Sequence, residues 1–344
     1  MTRLGERLAR RIAGLGPMRV SEFMAACLTD PEHGYYTTRD PLGARGDFIT
    51  GPEISQMFGE MLGLWLAQVW ADAGAPARFV LAELGPGRGT LMADMLRAAR
   101  LAPGFTEAAE VWLVETSPVL RRAQAQAVPG ARWADRVADL PQDAPLFVVA
   151  NEFLDALPIR QFLREGALWR ERMVGLEGDQ LAFGLAPAAA DPELDRRFAD
   201  VADGTLVETC APAEAVAAEL AARGARCLFV DYGDWAGHGD TLQALAGHAP
   251  ADVLATAGTA DLTAHVGFRW IAEAAAPLRA DFTTQGVFLE RLGITARAQA
   301  LARGDRADEI AGQHRRLTHP DEMGTLFKVL ALTPRGAPQT PGFG

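Results

Sequence analysis

Glu83-Leu84-Gly85-Pro86-Gly87-Arg88-Gly89-Thr90 stands directly after the apolar run 79–84. Glycines two apart let a backbone turn tightly and let a ligand approach without meeting a Cβ. The N–H groups that open the following helix would point toward that ligand. A dinucleotide fingerprint would read G-x-G-x-x-G. Here Gly89 comes one residue early and Thr90 follows it. The structural alternative is a tight strand-to-helix turn that binds nothing. Glu115 ends the next apolar run, where a carboxylate can accept both hydroxyls of a ribose; read structurally, it is an exposed strand-end glutamate. Ser117 precedes Pro118 and reads as a helix N-cap. Residues 131–140 supply a loop with Asp135, and Trp133 is assigned to the core rather than to stacking. Asn151, Glu152 and Asp155 follow a third apolar run. Two carboxylates and an amide are costly in one turn unless they are used or paired; Asn151 and Asp155 could instead cap the loop. Asp231 and Tyr232, after a fourth run, are weaker candidates on the same rim. Thr50 and Glu53 resemble a capping box, preceded by the glycine-flanked Asp47 and Phe48, and this loop is expected to roof the site. His265 is grouped with the roof, although it reads more readily as a satisfied polar residue than as a base.

These residues stand at the ends of apolar runs, which determines the elements that carry them. FVLAEL (79–84), EVWLVE (110–115), LFVVANEF (146–153) and RCLFVDYG (226–233) read as buried strands. Helical spacing after Thr90 and after Ser117 places helices between them. The stretch 131–140 holds a further strand. Strands alternating with helices predict βαβ units and a largely parallel sheet. Such sheets bind ligands at the carboxyl ends of their strands, near the switch in strand order. Residues 324–334 predict a strand lying antiparallel at or near the edge. Ile54, Met57, Phe58, Met61, Leu62, Trp65 and Val69 form one apolar helical stripe. The expected partition is an N-terminal helical cap with the roof loop over 1–75, a ligand-binding α/β domain over 76–163 and 205–344, and a β-rich insertion over 164–204.

The chain has 344 residues, with 33 Lys+Arg against 44 Asp+Glu and a net charge of −11. That balance argues against nucleic acid or a membrane surface as partner, since both call for a basic face. Lys328 is the single lysine and lies in an apolar run, which removes Schiff-base chemistry; the arginine bias is that of a GC-rich genome. None of Ser21, Ser55 and Ser117 lies in a G-x-S-x-G elbow, which argues against a serine hydrolase. Cys27, Cys210 and Cys227 form no C-x-x-C, which argues for a reducing, cytoplasmic setting and against disulfides or structural zinc. The absence of H-E-x-x-H and of close His/Asp clusters argues against any metal. No apolar run reaches the roughly 18 residues of a membrane span. The arginine-rich residues 1–28 read as a surface helix rather than a transit peptide.

The E-x-G-x-G-x-G spacing is that of the S-adenosylmethionine site of class I methyltransferases, and the chain resembles the MidA family of those enzymes. The resemblance rests on GYY (34–36), GDFITGPEISQMFGEMLGLW (46–65), ELGPGRGTLMADMLR (83–97), VETSPVLRRAQ (114–124), ANEFLDALPIRQF (150–162), WRER (169–172), FVDYG (229–233), GDTLQA (239–244) and GTADLTAHVGF (258–268), which keep their order over most of the chain. It implies a seven-stranded, mainly parallel sheet with helices on both faces. It implies S-adenosylmethionine as cofactor, held by Glu83, Gly85, Pro86, Gly87, Gly89, Thr90, Glu115, Ser117, Asp135 and Asn151. Catalysis is then expected from Glu152 and Asp155, with Asn151, Asp231 and Tyr232 beside them. Asp47, Phe48, Thr50, Glu53 and His265 are expected at the substrate or roof. The implied partner is a protein with an accessible arginine, such as a respiratory complex I subunit; a homodimer is left open. The family usually has serine where this chain has Gly51 and aspartate where it has Gly267. Two rival readings are a non-enzymatic cofactor-binding assembly factor and an NAD-dependent oxidoreductase, the latter disfavoured by the glycine spacing.

Overall fold

The structure, a computed structural model, describes residues 1–38, 50–237 and 239–344. The chain divides into two compact units. One takes the described residues of 49–154 with Glu214–Gly233 and Trp270–Gly344; the other takes those of 1–48 with Asp155–Ala213 and Asp234–Arg269.

The first unit is built on strands β1 (Phe79–Leu84), β2 (Ala109–Val114), β3 (Arg132–Ala134), β4 (Leu146–Asn151), β5 (Arg226–Asp234), β6 (Arg279–Thr284) and β7 (Phe327–Thr333). They run in the order β3-β2-β1-β4-β5-β7-β6. Strands β1 to β5 pair in parallel, and β7 runs antiparallel to both β5 and β6. The central strands are apolar because both faces are covered, and β1 is buried along its whole length. Residues 327–333 thus form the antiparallel strand expected near the edge. The edge itself is β6, which carries no sequence signal because each of its residues is half-buried. Helix α1 (Gln56–Asp72) lays its stripe of Met57, Phe58, Met61, Leu62 and Trp65 into one core with Phe79, Leu81, Phe147 and helix α2 (Thr90–Ala99). Helix α3 (Pro118–Ala127) follows β2.

The order of strands creates a switch point. From β1 the chain moves outward through β2 and β3, then returns to the other flank of β1 as β4. The turns that leave β1 and β4 therefore diverge at one crevice at the carboxyl ends of the strands.

The second unit joins helices Arg3–Leu15 and Val20–Thr29 to the antiparallel strands Arg160–Glu165, Leu168–Glu177, Gln180–Leu185 and Leu206–Thr209. Leu4, Leu8 and Ile12, at helical spacing, are buried with Phe23, Met24 and Val174. The arginine-rich N-terminus is thus amphipathic, with its apolar face in a core. A small sheet of Gln243–Ala246, Ala249–Ala251 and Asp261–Thr263 completes the unit. The division departs from the partition read in the sequence. Helix α1 separates from the two N-terminal helices because its stripe matches the core of the parallel sheet. The β-rich part is also larger than 164–204, since it takes residues 155–163 and 234–269 as well.

Candidate active site

The glycine turn follows β1 in the chain. Gly85, Gly87 and Gly89 all have positive φ, at 62°, 53° and 85°, a region that L side chains enter at a cost. Gly89 N donates to Pro86 O at 2.8 Å, closing the turn. Gly85 and Gly89 also have a packing reason that sequence alone does not supply. A Cβ on Gly85 would lie 2.9 Å from Phe153, and one on Gly89 would lie 3.3 Å from both Ala127 and Val128. Thr90 opens α2 and donates its hydroxyl to Glu53 Oε1 at 2.7 Å.

That bond revises the expected capping box. Thr50 makes no side-chain cap hydrogen bond, and residues 51–54 form a separate short helical turn. Ser55, extended at φ −159°, breaks the chain there and caps α1 itself by accepting from Met57 N. Glu53, freed from capping, reaches the glycine turn instead. Asp47 and Phe48 lie outside the described residues.

Glu115 leaves β2 half-buried. Its Oε1 accepts from Ser117 N at 2.7 Å, and its Oε2 from Gln124 Nε2 at 3.3 Å. Burial raises its pKa, opposed by those hydrogen bonds. A carboxylate accepts about four hydrogen bonds, so Glu115 keeps capacity for a ligand's hydroxyl. Ser117 spends its own hydroxyl on capping α3, accepting from Leu120 N at 3.4 Å. Asp135 is exposed and accepts from Arg121 at 2.6 Å; the same guanidinium binds the Glu115 carbonyl.

Gln124 was not singled out in the sequence, yet it joins these parts. It is fully buried; its Nε2 donates to Gly87 O at 2.7 Å and its Oε1 accepts from Trp133 Nε1 at 2.8 Å. Leu120 and Gln124 are the buried residues of α3. Their i, i+4 spacing puts both on the inward face, the signal that could have marked Gln124.

Beneath the turn, Glu83 is buried and its Oε2 has no hydrogen-bond partner among the described residues. Burial pushes its carboxyl up to about 8, against a single backbone hydrogen bond from Met92. The folded chain thus holds this proton more tightly than the unfolded one, so stability should fall as pH rises from about 4.5 to about 8. Glu83→Gln is expected to flatten that decline in a series of thermal melts. An unchanged slope would place the carboxyl in a more polar setting.

Asn151 ends β4 and donates from Nδ2 to Glu152 Oε1 at 3.0 Å, while its buried Oδ1 has no partner among the described residues. Glu152 follows at φ 51°, a left-handed conformation for a residue with a side chain. Its Oε1 also accepts from Gly51 N at 3.2 Å. Its own N–H donates to Val230 O at 2.9 Å. Asp231, on β5, is buried and accepts from Phe153 N at 3.2 Å, Leu154 N at 2.9 Å and Tyr232 N at 3.0 Å. It braces the turn after Glu152. Tyr232 packs edge-on against Phe327, with ring centroids 5.5 Å apart.

Asp155 and His265 belong to the second unit. Asp155 is buried and its carbonyl accepts from Ala264 N at 2.9 Å. In that unit Tyr36 donates to Asp261 at 2.8 Å, and burial with the charges of Asp261 and Asp155 raises the Tyr36 pKa. His265 is exposed, and its backbone N–H donates to Thr241 at 2.9 Å.

Three features fit a bound nucleoside with a charged tail: bare backbone at three left-handed glycines, a strand-end carboxylate, and the buried Asn151 Oδ1 and Glu83 Oε2, which have no partner among the described residues. Glu115→Ala should weaken S-adenosylmethionine by tenfold or more, since each charge-assisted hydrogen bond contributes about 1.5–3 kcal/mol. Unchanged calorimetric affinity in that variant would assign the ribose elsewhere. Among the described residues, no His, Cys, Asp or Glu cluster could hold a metal, and no helix is long and apolar enough to cross a membrane.

The model of a family of S-adenosyl-L-methionine-dependent methyltransferases matches residues 61–286. The mouse (Mus musculus) protein arginine methyltransferase NDUFAF7, mitochondrial, is 36% identical over 380 residues, covering 97% of this chain and 85% of that protein. The human (Homo sapiens) protein of the same name is 35% identical over 373 residues, covering 97% and 84%. A crystal structure of a Burkholderia thailandensis protein bound to S-adenosyl-homocysteine matches with a TM-score of 0.85 and 29% identity, covering 98% of this chain and 93% of that one.

Proposed function

The chain belongs to the MidA family of S-adenosyl-L-methionine-dependent methyltransferases, and from that premise we propose that it methylates arginine side chains of a partner protein. The observation that carries this reading is Glu152: a carboxylate at the switch point, on a left-handed backbone, with one oxygen fixed by Asn151 and Gly51. Such a conformation costs about 1–3 kcal/mol and persists where the surroundings over-determine it, often at functional sites. The relatives' names, which specify arginine, support the same reading.

Arginine makes particular demands. Its guanidinium stays protonated in proteins, so a nitrogen can attack only as its charge is held and a proton leaves. Glu152 meets both demands: it can accept the planar cation's N–H groups, aim one nitrogen, and take the proton as the bond forms. Asn151 and Gly51 limit its rotation, and Asp231 keeps the following backbone from relaxing. The glycine turn, Glu115 and Asn151 would hold S-adenosylmethionine. Bound there, it supplies a methyl group made electrophilic by its sulfonium. Most of the acceleration in such a displacement comes from positioning. The acidic balance of the chain suits a partner rich in arginine. We place the reaction in the cytoplasm, because Cys27, Cys210 and Cys227 form no disulfide, and a complex I subunit is the partner that the family resemblance suggests.

The test uses cell lysate and methyl-labelled S-adenosylmethionine. Labelling of protein should survive acetylation of lysines and vanish once arginines are blocked with a dicarbonyl reagent. Label that persists after arginine blocking would overturn the choice of acceptor. Tight cofactor binding with no label at all would favour the assembly-factor reading.

A further inference from the structure

The end of the sheet opposite the glycine turn carries a second set of polar groups. Cys227 on β5 lies opposite Leu332 on β7. In that antiparallel register the next pair outward is Arg226 with Thr333, and Thr333 is in turn paired with Arg279 on β6. Arg226, Thr333 and Arg279 therefore stand in a row on one face of the sheet, where directly opposed side chains are neighbours.

The three are not equally satisfied. Arg279 pairs with Asp281 at 3.0 Å and donates to the carbonyls of Ala337 and Pro338 at 2.9 and 2.8 Å. Thr333 is 1% exposed, yet its Oγ1 has no hydrogen-bond partner among the described residues. Arg226 is half-buried, with its guanidinium 5.4 Å from the centroid of the Phe147 ring. Among the described residues it has neither an ion pair nor a side-chain hydrogen bond. Burial alone moves its pKa, downward, with no opposing charge to restore it. Both residues line the same cavity of about 320 Å³, between the end of α1 and residues 333–340. Arg335 also lines it. The one carboxylate on its wall, Asp72, accepts from Gln68 at 2.7 Å.

We propose that this cavity is a second ligand site, which takes a small oxyanion bearing a carboxylate or phosphate group. A water could satisfy the threonine hydroxyl, but it brings no opposite charge to the half-buried cation lining the same cavity. An oxyanion satisfies both at once, accepting from the guanidinium fork and from the hydroxyl. Arg335 adds charge of the same sign at the mouth. The volume is at the low end of that for small-molecule pockets, which limits the ligand to a few heavy atoms. The site is separate from the cofactor crevice, because Arg226 begins β5 whereas the glycine turn follows the far end of β1.

The experiment is calorimetric titration at fixed ionic strength with inorganic phosphate and, separately, with succinate. The protein is first saturated with S-adenosylhomocysteine to keep anions from the glycine turn. Saturable binding of one equivalent is expected. Arg226→Gln should weaken it by about tenfold or more, and Thr333→Val by several-fold, since hydrogen bonds to charged groups are the stronger kind. Preference for phosphate or for succinate identifies which oxyanion the site takes; either supports it. The proposal is overturned if neither anion binds saturably at millimolar concentration, or if both folded variants bind as the wild type does.

Discussion

Gly87→Val is expected to abolish binding of S-adenosylmethionine and S-adenosylhomocysteine. Gly87 sits at φ 53°, in the middle of the turn. A branched side chain there would strain the backbone and stand in the ligand's path. Its carbonyl also accepts from Gln124, which holds Glu115 and Trp133, so distortion would spread to Glu115. Gly85 and Gly89 are poorer probes, because their added Cβ atoms would press on Phe153, Ala127 and Val128 whether or not a ligand is present. Gly87→Asn separates strain from obstruction, since asparagine tolerates the left-handed region. It should fold and still lose affinity. Unchanged calorimetric affinity in a folded Gly87→Val protein would move the cofactor away from this turn.

Glu152→Gln and Glu152→Asp should each lose methyl transfer by about a hundredfold or more, the range of a positioned general base, while cofactor affinity stays within a few-fold. Glutamine keeps the shape but neither holds a cation as firmly nor takes a proton. Aspartate keeps the charge but is one methylene short of the position where Gly51 N and Asn151 Nδ2 now meet Oε1. In-line displacement tolerates little such misplacement. The bland alternative is that Glu152 only pins the turn. Both variants would then lose thermal stability while folded protein kept its turnover. Single-turnover rates beside melting curves distinguish the two.

The parallel sheet was legible because β1 and β4 are apolar along nearly their whole length and β5 is apolar over residues 227–230, as strands buried on both faces are. The edge strand β6 was not, because half-buried residues show no alternation. Of the crevice, the residues at strand ends could be read from position: the glycine turn, Glu115 and the Asn151-Glu152 pair. Their hydrogen-bond partners could not. Glu53 gives a good capping-box spacing, yet the extended Ser55 diverts it to Thr90. Asp231 looked like a rim carboxylate, but three backbone N–H groups occupy it. Gln124 reads as one more polar residue on a surface helix until its face is known. Such pairings depend on long-range packing, which one sequence does not display. Asn151 offered a clue of composition: it is the chain's single asparagine.

The proposed activity requires that the carboxylate after β4 serve methyl transfer from S-adenosylmethionine to arginine. The most direct measurement incubates wild type and Glu152→Gln side by side with methyl-labelled S-adenosylmethionine and lysate, then hydrolyses the labelled protein to amino acids. The account predicts label in methylated arginine with the wild type and almost none with the variant. Label in another amino acid, or equal methylarginine from a folded Glu152→Gln protein, would contradict it.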